Sequence, residues 1–187
     1  RAMLLSELNR HEELEPVLAE YVRVSPLQEK DQAKNLSRFH FQACYFRGDF
    51  TGAAVHLRAL EDPSTLELAQ QLEDPGCRPQ RVELPVGFVR QHWKTCSPAT
   101  FVALARYWGR EVDHLKLAAD ICYDGTPSWK ERQWAEAHGW TVREFRLDWE
   151  SARLLLDRGI PFAVSTGSTT GGHRQAVIGY DAVRRTL

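Results

Sequence analysis

Gln91-His92-Trp93-Lys94-Thr95-Cys96-Ser97-Pro98-Ala99-Thr100 sets a cysteine where polar sequence gives way to apolar. Beyond it Phe101, Val102, Leu104, Ala105 and Trp108 recur at three- and four-residue intervals, which predicts an amphipathic helix ending near Gly109. Pro98 suits the first turn, where a missing N–H costs nothing. Cys96 then falls at a helix N-terminus, whose unpaired N–H groups and dipole favour an anion. Such positions make cysteines nucleophilic. Gln91, upstream, is placed to aim a side-chain amide at an oxyanion formed beside the sulfur.

Downstream, Asp113 to Cys122 reads as a helix with Leu115, Ala118, Ala119 and Cys122 inward. Asp124-Gly125-Thr126-Pro127 is a turn into a helix that faces Trp129, Trp134 and Ala137 inward and stops at Gly139. Trp140 to Leu147 reads as a strand. Asp148 caps a helix from Trp149 to Asp157, which Gly159 terminates. Ile160 to Ser165 is an apolar run short enough for a buried strand. Thr166 to Gly172 is a polar, glycine-rich loop, and Arg174 to Tyr180 the last strand. Helices first and strands last make an α+β layout. His173, between loop and strand, stands where a side chain is presented to a cleft, and it is the candidate base for Cys96.

Upstream, residues 1–73 are helical throughout. Leu8 to Leu14 is echoed by Phe46 to Ala53, and each echo leads into a helix running to a proline, Pro26 or Pro63. The offset of about 39 residues exceeds the roughly 34-residue tetratricopeptide period. Leu36, Phe39, Ala43 and Phe46 share one face of a helix. The segment Lys34 to Leu60 is similar to one tetratricopeptide helix pair, and a third helix, Ser64 to Leu72, caps it. Its two readings are a concave surface for a protein partner and a supporting αα-hairpin. Glu73 to Gln80, polar with two prolines and a glycine, forbids regular structure. The expected organisation is a helical segment over 1–73, a linker over 74–83 and a second domain over 84–187. Val82 to Val89 reads as an extended approach to Gln91, broken by Pro85 and Gly87.

The bulk numbers agree with a globular protein: 187 residues, 43% hydrophobic, 26% charged. A net charge of −1 argues against a nucleic-acid or membrane-surface partner, and no apolar run approaches a membrane span. Cys44, Cys77, Cys96 and Cys122 form no CxxC pair and no zinc spacing, and they read as reduced thiols in a cytoplasmic setting. Arg1 at the start and a strand-like Thr186-Leu187 at the end are expected to continue into a longer protein.

Gln91, a short spacer and Cys96-Ser97-Pro98-Ala99 at a helix start resemble the nucleophile segment of the C39-like, papain-fold cysteine peptidases. Asp124-Gly125-Thr126, the helix ending at His138-Gly139, the strand Gly159 to Val164, and Gly172-His173 followed by Val177 to Asp181 come in that family's order. The resemblance covers residues 84–187, and the order of its short motifs carries it. Ser97 departs from the glycine usual there, a change expected to be tolerated. The resemblance implies a papain-like fold, a helical half plus an antiparallel sheet. It implies Cys96 as nucleophile, His173 as base and then acid, and Gln91 with the Cys96 N–H as oxyanion donors. It further implies a peptide or protein substrate and calls for neither metal nor organic cofactor. The family's orienting Asp or Asn lies on a returning strand. A tight turn over Asp181 to Arg184 puts that position roughly five residues beyond Leu187, leaving Asp181 a turn residue.

The blander readings stand beside these. A lone helical cysteine is ordinarily a small buried hydrophobe, and nothing lifts Cys44, Cys77 or Cys122 above that. His40 and Cys44, four apart on a helix, are half of a metal site without a second half. The Thr166–Gly172 loop lacks the lysine and following helix of a phosphate-binding loop. Trp93 serves equally as a cleft wall or as packing. Two further functions use the same residues: a non-catalytic peptide-binding or scaffold module, and an acyl or amide transferase.

Overall fold

A computed structural model describes every residue except 75, 77–79 and 169–170. The chain divides into two compact units, Arg1–Gln80 and Arg81–Leu187.

The regular structure described in the first unit is all helical. It comprises α1 (Ala2–Glu7), a 3-10 turn (His11–Glu13), α2 (Leu14–Val24), α3 (Lys30–Arg47), α4 (Phe50–Arg58) and α5 (Pro63–Glu73). Leu14 and Leu18, one turn apart on α2, are fully buried with Leu5 and Ala43. Each such leucine contributes about 2 kcal/mol of apolar burial. Leu36 and Phe39 pack on this cluster, and Phe46 stacks on His11 at 3.7 Å, so the expected face of α3 is the covered one. α3 stops at Gly48, whose φ of +84° suits a residue without a Cβ. Asp49 then caps α4 by accepting from the Gly52 N–H at 2.9 Å. Of the expected linker, residues 75 and 77–79, Cys77 included, lie outside the described residues. Arg81–Glu83, expected as its end, are instead strand β1.

The second unit is α+β. Its helices are α6 (Cys96–Tyr107), α7 (His114–Ile121), α8 (Ser128–Ala137) and α9 (Trp149–Asp157). Its strands are β1, β2 (Phe162–Ser168), β3 (Gly171–Val177) and β4 (Gly179–Asp181). One core lies among the first helices, around Val102, Leu117 and Ile121. Another joins α9 to the strands through Ala152, Leu156, Phe162, Val177 and Tyr180. The strands make two antiparallel pairs, β2 with β3 and β1 with β4. Glu83 lies opposite Gly179, where a Cβ would come within 2.2 Å of the Val82 carbonyl oxygen. Only glycine admits so close a pairing.

Several expectations are corrected. The strand foreseen over Arg174–Tyr180 breaks at Ile178, because its two parts pair with different partners; an unbroken apolar run hides that division. The Thr166–Gly172 loop is largely strand: Thr166 pairs with His173 and Gly167 with Gly172, leaving only residues 169–170, which are not described. Backbone pairing needs no apolar side chains, so the polar composition misleads. Trp140–Leu147 forms no strand. Its side chains pack individually instead, Trp140 on Phe101 at 5.5 Å and Phe145 on Phe162 at 5.7 Å. The inner face of α7 is Leu117, Ala118 and Ile121, while Leu115 is 61% exposed. On α8 the buried residues are Glu131 and Ala135, with Trp129 and Ala137 exposed. α7 packs against α6 and α8. On α8 Trp134, expected inward, does meet Phe101 of α6 at 5.4 Å, while Glu131 faces Arg174 of β3. The rest of each helix surface is open, so apolar residues are left on the rims.

Candidate active site

Cys96 is the first residue of α6. A turn at His92–Thr95 delivers the chain to it: the Thr95 hydroxyl accepts from the His92 N–H at 2.8 Å, and Lys94 takes a φ of +57°. With its hydroxyl occupied there, Thr95 gives α6 no side-chain cap. Pro98 has no N–H to satisfy, so the uncapped donors of the first turn belong to Cys96 and Ser97. The opening is also fastened from outside. The Cys122 thiol donates to the Lys94 carbonyl at 3.2 Å, and the Lys94 ammonium pairs with Asp124.

His173 lies on β3 opposite Thr166, whose hydroxyl donates to its carbonyl at 3.4 Å. The next residue, Arg174, is held from three elements. Its carbonyl accepts from the Thr100 hydroxyl on α6 at 3.1 Å. Its guanidinium donates to the Ser165 hydroxyl on β2 at 2.8 Å and lies 3.3 Å from Glu131 on α8. Thr100 stands one turn after Cys96, so this link ties the sulfur's helix to the imidazole's strand. A bond of its kind contributes about 1 kcal/mol net, and its geometric effect on the register of the two halves is the larger consequence.

The two candidate residues face shared space. A cavity of about 730 Å³ is walled by Cys96, His173 and Arg174 together with polar residues of the 123–131 stretch. A second, of about 480 Å³, has Cys96, His173 and Arg174 in its wall too, and Gln91 with them. Thus Gln91, Cys96 and His173 border one hollow. Glu131 borders the first cavity while itself nearly buried. Burial pushes its carboxyl above the ordinary carboxylate range, against the pull of the Arg174 guanidinium and the neighbouring Ser97 hydroxyl.

Ser97, Thr100, Glu131 and Arg174 are contributions that sequence reasoning missed. A charged residue on a helix reads as solvated, and the one available signal was Glu131 lying a turn before Ala135 on a common face. Asp181 accepts from the Arg184 N–H at 3.0 Å, a turn contact. The turn, however, is closed by reciprocal bonds between Asp181 and Thr186, so it is wider than the one expected. Trp93 is 86% exposed. His40 meets Glu15 at 3.3 Å and stacks on His56. No group of three or more metal-ligating side chains occurs among the described residues.

No curated protein and no solved structure matches the chain. The family profile described as "Peptidase_C39 like family" matches residues 83–187, a span that holds Gln91, Cys96 and His173 and more than half of the chain. On that match the chain belongs to the C39-like peptidase family.

Proposed function

We propose that residues 83–187 form a papain-like cysteine peptidase in which Cys96 attacks a peptide carbonyl, assisted by His173 and Gln91. The observation that supports this most is that all three border one cavity, with Cys96 at an uncapped helix start. In the first step His173 takes the thiol proton, the sulfur bonds to the carbonyl carbon, and the carbonyl electrons move to oxygen. The Gln91 amide and the Cys96 N–H steady that oxyanion. The tetrahedral adduct collapses, the C–N bond breaks, and His173 protonates the departing amine. Water then attacks the thioester with His173 again as base, releasing the acid and restoring the thiol.

Iodoacetamide alkylation followed site by site by mass spectrometry tests the pairing of Cys96 with His173. Cys96 should react at least about tenfold faster than Cys122, and His173→Ala should remove the advantage. Equal rates for the two thiols would refute the peptidase reading.

For residues 1–73 we propose a tetratricopeptide-like pair, α3 and α4, that recruits a protein partner; the tight turn at Gly48-Asp49 supports it. No helix described here is long and apolar enough to cross a membrane.

A further inference from the structure

Of the ion pairs described in the second unit, Glu131–Arg174 is the most withdrawn from solvent. Its two groups stand 3.3 Å apart, farther than the roughly 2.8 Å of a full charge-assisted hydrogen bond, so the guanidinium charge is only partly offset. Glu131 borders the larger cavity with Cys96 and His173, and Arg174 borders both cavities. Arg174 therefore meets the space around the sulfur from two sides. Glu131 adjoins Ser97, which owns one of the uncapped N–H groups of α6. A carboxylate there competes with a thiolate for the same positive helix end. Neither charge is needed to join β3 to α6, since the Arg174 backbone carbonyl and Thr100 make that link.

We propose that this pair sets how readily the Cys96 thiol gives up its proton: Arg174 favours the thiolate, and Glu131 holds that pull in check. The use of the thiolate in catalysis rests on the peptidase reading; its titration does not. The other charged groups around the hollow have their own contacts. Lys94 pairs with Asp124, Arg132 with Glu144, Lys130 lies over the Trp129 ring at 5.8 Å, and His173 is the proposed base.

Iodoacetamide labelling of Cys96 in the full chain, resolved by mass spectrometry from about pH 4 to about pH 10, gives the midpoint at which the thiol becomes reactive. Glu131→Gln keeps the shape and an oxygen for Arg174 but removes the negative charge, so the midpoint should fall by about one pH unit. Burial raises the Glu131 carboxyl, so its counter-charge fades as pH falls, and the two curves should converge at the acid end. Adding Arg174→Gln removes both charges and should return the midpoint to the wild-type value or above. Arg174→Gln alone should raise it by about one unit, and carries the test if the Glu131 variants do not fold. Damaged packing would move every variant in one direction and produce no cancellation. A midpoint unmoved or raised by Glu131→Gln, a fall that persists in the double variant, or no rise in Arg174→Gln would overturn the proposal. The peptidase reading fails on a separate result, when Cys96 labels no faster than Cys122 or wild type no faster than His173→Ala.

Discussion

The last turn of α3 and the first turn of α6 each carry a cysteine, in surroundings that differ in kind. Cys44 is 5% exposed, and burial pushes its thiol above the ordinary value, with Asp49 and Glu15 acting in the same direction. The helix end around it is closed, the Cys44 carbonyl accepting from the Asp49 N–H at 2.9 Å and that of Tyr45 from the Gly48 N–H at 3.1 Å. Cys96 stands where the ladder has not begun, with uncapped N–H groups beside it and two cavities before it. Residue type is shared; the open start of a helix, a neighbouring strand and open space are not. Only the second setting leaves the sulfur beside unpaired donors and open space.

The sharpest break of this contrast is a pair of substitutions. Cys96→Ala should abolish peptide cleavage, a loss of about a thousandfold or more, while Cys44→Ala leaves the cleavage rate unchanged and lowers stability by about 1 kcal/mol in urea unfolding. Cleavage surviving Cys96→Ala would put the two thiols on one footing. Next, Gln91→Ala should lower kcat by about a hundredfold through the lost oxyanion donor, with iodoacetamide labelling of Cys96 intact because alkylation forms no oxyanion. A fall in labelling would show instead that Gln91 shapes the thiol's surroundings.

Glu131 sharpens the contrast through pH. Its carboxyl is raised in the folded chain, so the folded state binds that proton more tightly than the unfolded state does. The stabilisation is complete below the ordinary value of 4.5 and is lost as pH rises through the raised one. Glu131→Gln should therefore flatten the stability–pH curve above 4.5, measured by urea midpoints across that range. An unchanged slope would remove Glu131 from the titration. The smallest effect expected is at Asp148, whose carboxylate accepts from the Ser151 N–H at 2.7 Å. Asp148→Ala should cost about 1 kcal/mol and leave Cys96 labelling as it was.

What the sequence disclosed follows from which signals are local. The start of α6, its end at Gly109 and the Asp148 cap are legible because proline, glycine and capping residues act on their own backbone. Cys96 does open a helix, as its surroundings imply, whereas His173, read as following a loop, lies inside β3. The rest depends on partners distant in the chain. Trp129 and Leu115 lie outward because neither is on the side of its helix that meets α6. The division of β3 from β4 at Ile178 depends on β1, which arrives from far upstream. Glu131 becomes a site residue only through Arg174, 43 positions away on another element.

The bare backbone at Gly179 has a consequence for where damage can originate. β1 leads into the segment that carries Gln91, and β4 follows the strand that carries His173, so their pairing clasps the one segment to the other. Adding one methyl group at position 179 would prise that clasp open against the Val82 carbonyl. A screen for loss of function would then score an alanine that touches neither substrate nor sulfur.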